Sequence, residues 1–153
     1  MSKLMWTPGQ ERVANSEMTR FQKFVEEKTS KYFHSYPELH RFSVENKEKF
    51  WTLLMEFYNV KSEGALEPVC TDLSFKSYGW FPNLKLNFAE NLLSKGRDED
   101  VALHFIHESG LDQTMTYREL RLQVARLTGS LKEFISPGEV VACYTPNIME
   151  TVI

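Results

Sequence analysis

The chain has 153 residues, 42% hydrophobic and 25% charged, with a net charge of −3 from 18 basic and 21 acidic residues. This is material for about one globular domain, the absence of a basic stripe argues against a nucleic-acid partner, and no apolar run approaches the ~20 residues that cross a bilayer. Cys70 and Cys143 stand far apart with no CxxC pair, and Met1-Ser2-Lys3-Leu4-Met5 has no apolar signal core, so the composition reads as a cytoplasmic protein with reduced thiols and no zinc site.

Residues 1–14 are polar and broken by Pro8 and Gly9, a loosely held arm whose Trp6 is available to tuck into a groove. Asn15 or Ser16 caps a helix in which Met18, Phe21, Phe24 and Val25 recur at helical spacing, to about Lys28. Tyr36-Pro37 opens a short helix, since proline at the first helical position gives up a donor that has no partner there; Leu39 and Phe42 form its inner face. Ser43 caps a third, longer helix whose Phe50, Trp51, Leu54, Phe57 and Tyr58 fall three and four apart, with Glu45, Lys47, Glu48 and Lys49 toward solvent. Such a stripe faces a core far more often than a cofactor. The helix fades near Asn59. Residues 65–79 are irregular, with short extended pieces at Pro68-Val69-Cys70 and Leu73-Ser74-Phe75.

The segment WFPNLKLNFAENLL, residues 80–93, joins this helical front to a different pattern. Two aromatics beside Pro82 favour an extended or turning backbone. Asn87 then reads as an N-cap with Glu90 three residues on and Leu92 and Leu93 as apolar anchors. Ser94-Lys95-Gly96-Arg97-Asp98 is a turn. Val101–His107 reads as a strand, and Gln113–Tyr117 pairs back across Ser109-Gly110 as a hairpin. Thr116-Tyr117-Arg118-Glu119 is a capping box that opens the clearest helix, with Leu120, Val124, Leu127, Leu131 and Phe134 on one apolar face. Ser136-Pro137-Gly138 stops it. Val140–Tyr144 is a β-rich run of the kind buried in a parallel sheet, and Pro146–Glu150 starts another helix with Asn147 as its cap. Val101 to Tyr144 therefore reads as β–α–β with a right-handed crossover. A parallel sheet needs further strands and helices on both faces, so the pattern predicts the first unit of a larger α/β domain. The expected boundary lies near residues 95–100.

Chemistry is sparse. Neither GxxxxGK[ST] nor GxGxxG occurs, so the familiar phosphate cradles are missing, and Ser94-Lys95-Gly96 reads as a surface turn. His104 and His107 stand three apart on a strand and point to opposite faces, so they cannot converge on a metal; His34 and His40 lack acidic or cysteine company. Cys143 reads as an inert core thiol. Asn147 follows the carboxyl end of the last strand, where α/β sheets bind ligands, but a cap role suffices for it. The residues assign no catalytic, cofactor-binding or metal-binding position.

Several strings resemble the acetoacetyl-CoA synthetase family (acetoacetate–CoA ligases), within the adenylate-forming acyl-CoA synthetases. Met5-Trp6-Thr7-Pro8 resembles its opening W-x-P, and Phe42-Ser43-Val44-Glu45 with Phe50-Trp51 resembles WSV…FW, with Phe42 where Trp is usual. Leu86–Leu93 resembles LNYAENLL with one conservative change, Thr116–Leu120 resembles T(W/Y)-x-EL, and Tyr144-Thr145-Pro146-Asn147 resembles the Y-L-P-N end of the first adenylation-domain strand. Gly138-Glu139-Val140 departs from the family's Gly-Asp-Arg, which affects local turn contacts and not the fold. The AENLL form resembles acetoacetyl-CoA synthetases more than their acetyl- or propionyl-CoA relatives.

The resemblance implies a mixed α/β chain. Residues 1–95 would be the helical N-terminal extension and 96–153 the start of a truncated AMP-binding (adenylation) domain. Family members activate a carboxylic acid with Mg-ATP to an acyl-adenylate and pass the acyl group to coenzyme A. Their phosphate loop, acidic ligands and catalytic lysine lie beyond the position matching Ile153, so no site residue is carried over. ATP, magnesium and coenzyme A belong to the full-length enzyme and none to this chain, which is expected to be inactive alone and to have the remainder of the adenylation domain as its partner. The alternative is a stand-alone, non-catalytic interaction module derived from such an enzyme. In both cases an uncovered β–α–β edge predicts self-association of the isolated chain.

Overall fold

A computed structural model describes residues 5–71, 77, 79–136 and 138–153. The chain divides into two compact units, Met1–Leu86 and Asn87–Ile153.

In the first unit, helices α1 (Gln10–Ala14), α2 (Glu17–Thr29), α3 (Tyr36–Glu45) and α4 (Lys47–Phe57) follow one another. Ser16 caps α2: its hydroxyl accepts from the Thr19 N–H at 3.2 Å and donates to the Val13 carbonyl at 2.8 Å. Phe21 and Val25 of α2, Leu39 and Phe42 of α3, Leu53 of α4 and Phe33 of the α2–α3 loop form the buried core. Phe21 meets the rings of Phe50 and Phe57 edge-on at 5.4 and 5.2 Å, a favoured aromatic geometry. Two α2 side chains fix the loop residue Phe33. Gln22 donates to its carbonyl at 2.7 Å, and Glu26 accepts from its N–H at 2.9 Å.

Three expectations need correction here. Ser43 does not start a helix; its hydroxyl donates to the His40 carbonyl at 2.7 Å, α3 runs on to Glu45, and Asn46 stands between α3 and α4. The inner face of α4 is Phe50, Leu53, Leu54 and Phe57, with Leu53 1% exposed, while Trp51 and Tyr58 occupy a neighbouring stripe and are 41% and 43% exposed. Trp6 is exposed rather than tucked into a groove, and the Arg12 guanidinium of α1 lies 5.5 Å from its ring centroid.

After α4, Asn59 turns the chain with φ 47°. A short antiparallel pair follows, β1 (Glu63–Gly64) with β2 (Leu84–Lys85). Between them Cys70 bridges to Trp80, the Thr71 N–H donates to the Gly79 carbonyl at 3.0 Å, and the Phe81 N–H donates to the Val69 carbonyl at 2.8 Å. The piece at Pro68–Cys70 contributes a single isolated bridge, at Cys70, and no strand; that at Leu73-Ser74-Phe75 lies outside the described residues.

The second unit opens with α5 (Phe88–Leu93), where the Asn87 side chain accepts from the Glu90 N–H at 3.0 Å. Strands β3 (Val101–Ile106) and β4 (Asp112–Thr116) form an antiparallel hairpin, with a register shift between Val101 and Leu103. Helix α6 (Tyr117–Leu131) begins with the expected capping box: the Glu119 N–H donates to the Thr116 hydroxyl at 3.3 Å and the Thr116 N–H to the Glu119 carboxylate at 2.8 Å. Helices with antiparallel strand pairs make the chain mixed α/β, as the sequence implies.

The last strand and helix differ from expectation. Residues 140–144 form no strand; Val140 is 91% exposed, and Tyr144 and Cys143 are exposed too. No described strand runs beside them, and a strand without a neighbour has no ladder to join. Both sheets are two-stranded and antiparallel, so no parallel crossover forms among the described residues. The terminal helix is one 3-10 turn, Met149–Val152, preceded by Ile148 rather than capped by Asn147. The Thr151 hydroxyl donates to the Pro146 carbonyl at 2.6 Å and closes the turn instead. On α6, Leu120 is buried, but Leu127 is exposed, as are Leu92 on α5 and Phe134 beyond α6.

Candidate functional site

In the first unit, the Trp51 and Tyr58 side of α4, with Leu54 at its edge, and the segment after Gly79 line an open apolar hollow of about 340 Å³. Trp51, Leu54 and Tyr58 supply the helical wall, and Trp80, Phe81 and Leu84 the other. The bridge at Cys70 sets Trp80 in place, so its ring centroid lies 5.7 Å from that of Trp51 with the planes inclined by 56°. Phe81 adopts φ 47°, and the Leu84 N–H donates back to its carbonyl at 2.9 Å, turning the wall over the hollow. A left-handed conformation at a bulky residue persists only where packing and hydrogen bonds fix it. Among the described residues the walls offer aromatic and aliphatic surface for an apolar group and no carboxylate, imidazole or thiol for chemistry.

In the second unit, polar groups gather where the turn after α5 meets the start of α6. Arg97 grips Asp100 through its Nη2 at 2.9 Å and its Nε at 3.2 Å. That hydrogen bond holds the Asp100 carboxyl below its ordinary range and raises the Arg97 guanidinium. The Thr116 N–H, then its hydroxyl, hold the Glu119 carboxyl low in the same way. Arg118 pairs with Glu99, and Arg121 reaches Asp98 at 2.6 Å.

The residues weighed for chemistry are separated by the fold. His104 pairs across the hairpin with Asp112 at 2.7 Å, and the His107 ring accepts from the Ser109 N–H at 3.1 Å, so one imidazole ties the two strands and the other serves the turn. The His40 ring lies 6.2 Å from that of Tyr36 on α3. Among the described residues no group of three His, Cys, Asp or Glu side chains could hold a metal, and no described helix is long and apolar enough to cross a membrane. Sequence reasoning missed the pairing of Trp51 with Trp80 and the role of Arg121. The available signal for the first was two tryptophans in otherwise separate readings; for the second, an arginine one turn into a capped helix that the β3–β4 hairpin separates from a charged glycine turn.

The chain has the fold of the N-terminal part of an acyl-CoA synthetase. The acetoacetyl-CoA synthetase from Streptomyces lividans matches with a TM-score of 0.89 at 32% identity, over 99% of this chain and 24% of that one. The acetoacetyl-coenzyme A synthetase of Rhizobium meliloti (strain 1021) is 34% identical over 149 residues, 97% of this chain and 23% of the relative. That of Caenorhabditis elegans is 33% identical over 135 residues, 84% of this chain and 19% of the relative. No family model matches the chain. The chain is thus similar over nearly its whole length to the N-terminal part of acetoacetyl-CoA synthetases, as its motifs indicate, and spans about a quarter or less of the length of these relatives.

Proposed function

We propose that this chain is the N-terminal part of an ATP-dependent acid–thiol ligase that joins acetoacetate to coenzyme A through an acyl-adenylate, releasing AMP and pyrophosphate. In this reading residues 1–95 are a helical extension and 96–153 open the adenylation domain. The remainder of that domain is its partner, supplies the ATP, magnesium and coenzyme A sites, and works in the cytoplasm. The observation that carries the reading is similarity across 97–99% of the chain to 23–24% of two synthetases. Stabilising charge at a phosphoryl centre takes positioned donors or metal ions, and the sequence contains neither phosphate-cradle motif. The 153-residue chain is therefore inactive by itself.

The test is acetoacetate-dependent exchange of pyrophosphate into ATP, measured on this chain and on the longest polypeptide its gene encodes. Exchange by the long product and none by the chain is the expected result. Exchange by the chain alone overturns its inactivity, and preference of the long product for acetate or propionate moves it to a neighbouring synthetase. A second reading, a non-catalytic interaction module, draws on one observation: Phe134, Val140 and Tyr144 leave apolar surface exposed in the second unit. A gene product of 17.9 kDa in its source cell would favour that reading.

A further inference from the structure

A charged, glycine-containing turn such as Ser94–Asp98 is ordinarily a site of fraying and proteolysis. The helix before it, α5, has six residues, too few to persist unaided, and its last carbonyls need partners. The Ser94 N–H, the Ser94 hydroxyl and the Lys95 N–H take the carbonyls of Glu90, Asn91 and Leu92, and one side chain from α6 takes the next, at Leu93, with two more in the turn. The Arg121 guanidinium donates from Nε to the Leu93 carbonyl at 2.8 Å, from Nη2 to the carbonyls of Gly96 at 2.8 Å and Lys95 at 3.2 Å, and from Nη1 to the Asp98 carboxylate at 2.6 Å. It also lies 5.2 Å from the Tyr117 ring centroid. That ring presses on the turn: Gly96 has φ +41°, and a Cβ there would sit 2.1 Å from it. The turn answers in kind. The carbonyls of Asp98 and Asp100 accept from the N–H groups of Arg118 and Tyr117 at 3.0 Å each, occupying donors that the start of α6 would otherwise leave open.

We infer that Arg121 is a conformational lock that clamps the turn Ser94–Asp98 and the end of α5 to the first turns of α6. The clamp depends on fork geometry. A planar guanidinium reaches carbonyls in several directions at once, whereas a lysine ammonium is a point charge on a flexible stem and cannot span them. The lock makes an outwardly loop-like connection rigid, and it stands whether or not the chain is part of a ligase.

The test is limited trypsin digestion of the 153-residue chain, following the Lys95–Gly96 bond by mass, together with amide exchange at Ser94 and Lys95. Those amides donate to the Glu90 and Leu92 carbonyls at 3.0 and 3.2 Å, so their exchange reports on the end of α5. Arg121→Lys keeps the charge and loses the fork; it should speed cleavage and exchange there by at least about tenfold, with exchange at Phe105 in the hairpin unchanged. Gly96→Ala, which leaves Arg121 in place but pushes on Tyr117, should do the same. The inference is overturned if Arg121→Lys keeps wild-type protection, if wild type is cut as fast as Arg121→Lys, or if protection is lost equally at Phe105.

Discussion

Replacing Leu53 by alanine probes the core of the first unit at its most informative point. Leu53 is 1% exposed and lies on the α4 face that meets Phe21 and Val25. The change deletes three carbon groups at about 0.8 kcal/mol each, roughly 2.4 kcal/mol, before any residual cavity is counted. The surrounding Phe21, Phe42 and Phe50 belong to packed helices and cannot collapse fully into the space, so the expected loss is about 3 kcal/mol, inside the usual ~2–5 for this substitution. In a unit of this size that lowers the melting midpoint by roughly 10–20 °C. The assay is urea unfolding followed by circular dichroism, with an unchanged slope and a lower midpoint. The control is Phe134→Ala, a larger truncation on the face that hydrophobic spacing alone marks as core. Phe134 is 80% exposed, so its loss should stay within about 0.5 kcal/mol. A Phe134→Ala penalty equal to that of Leu53→Ala would refute this account of where the core lies.

Further outcomes follow from other features. The Glu119 carboxyl, held below its ordinary 4.5 by the Thr116 N–H, contributes stability that is full above that value and lost as pH falls through the lower folded value. Glu119→Gln should therefore lower the melting midpoint at about pH 7, and the gap to wild type should narrow as pH falls below 4.5; a gap that stays constant throughout acid titration would contradict the assignment. Gly64→Ala should open the β1–β2 pair, since φ is +107° and a Cβ would stand 2.1 Å from the Asn83 carbonyl. Exchange at the Lys85 amide should accelerate, and unchanged protection there would count against the strain argument. The isolated chain should scatter light as more than a monomer, and the pair Phe134→Lys and Val140→Lys should shift it toward one. A monomeric wild type would dispose of self-association.

The features legible in the sequence are those decided within a few residues. Ser16, Asn87 and Thr116 cap their helices because a short polar side chain needs only a backbone N–H three positions on. The β3–β4 hairpin follows from two short runs around a turn. Ser43 shows the limit of that logic, since the same hydroxyl can bond backward into the helix it already occupies. Bulk misled the reading of α4, where aromatic size drew the inner face toward Trp51 and Tyr58 and away from Leu53. Residues 140–144 have strand composition, but a strand is defined by its neighbour, and composition cannot supply one. The β1–β2 pair joins two-residue strands about twenty residues apart, too short to show alternation. The hollow was legible only as separate parts. Trp51 reads as helix and Trp80 as linker, and their pairing depends on the Cys70 bridge.

The tryptophans are distributed unevenly. All three, Trp6, Trp51 and Trp80, lie before Asn87, and two of them stand close enough for their transitions to couple. Indole emission is therefore a private signal of the first unit, while the hairpin and α6 melt in optical silence at that wavelength and speak only through tyrosine and the amide bands. If emission and amide curves superimpose during unfolding, the two units share one cooperative transition; if they separate, the chain unfolds in two steps. The molecule thus carries, without any label, the means to tell whether its halves depend on each other.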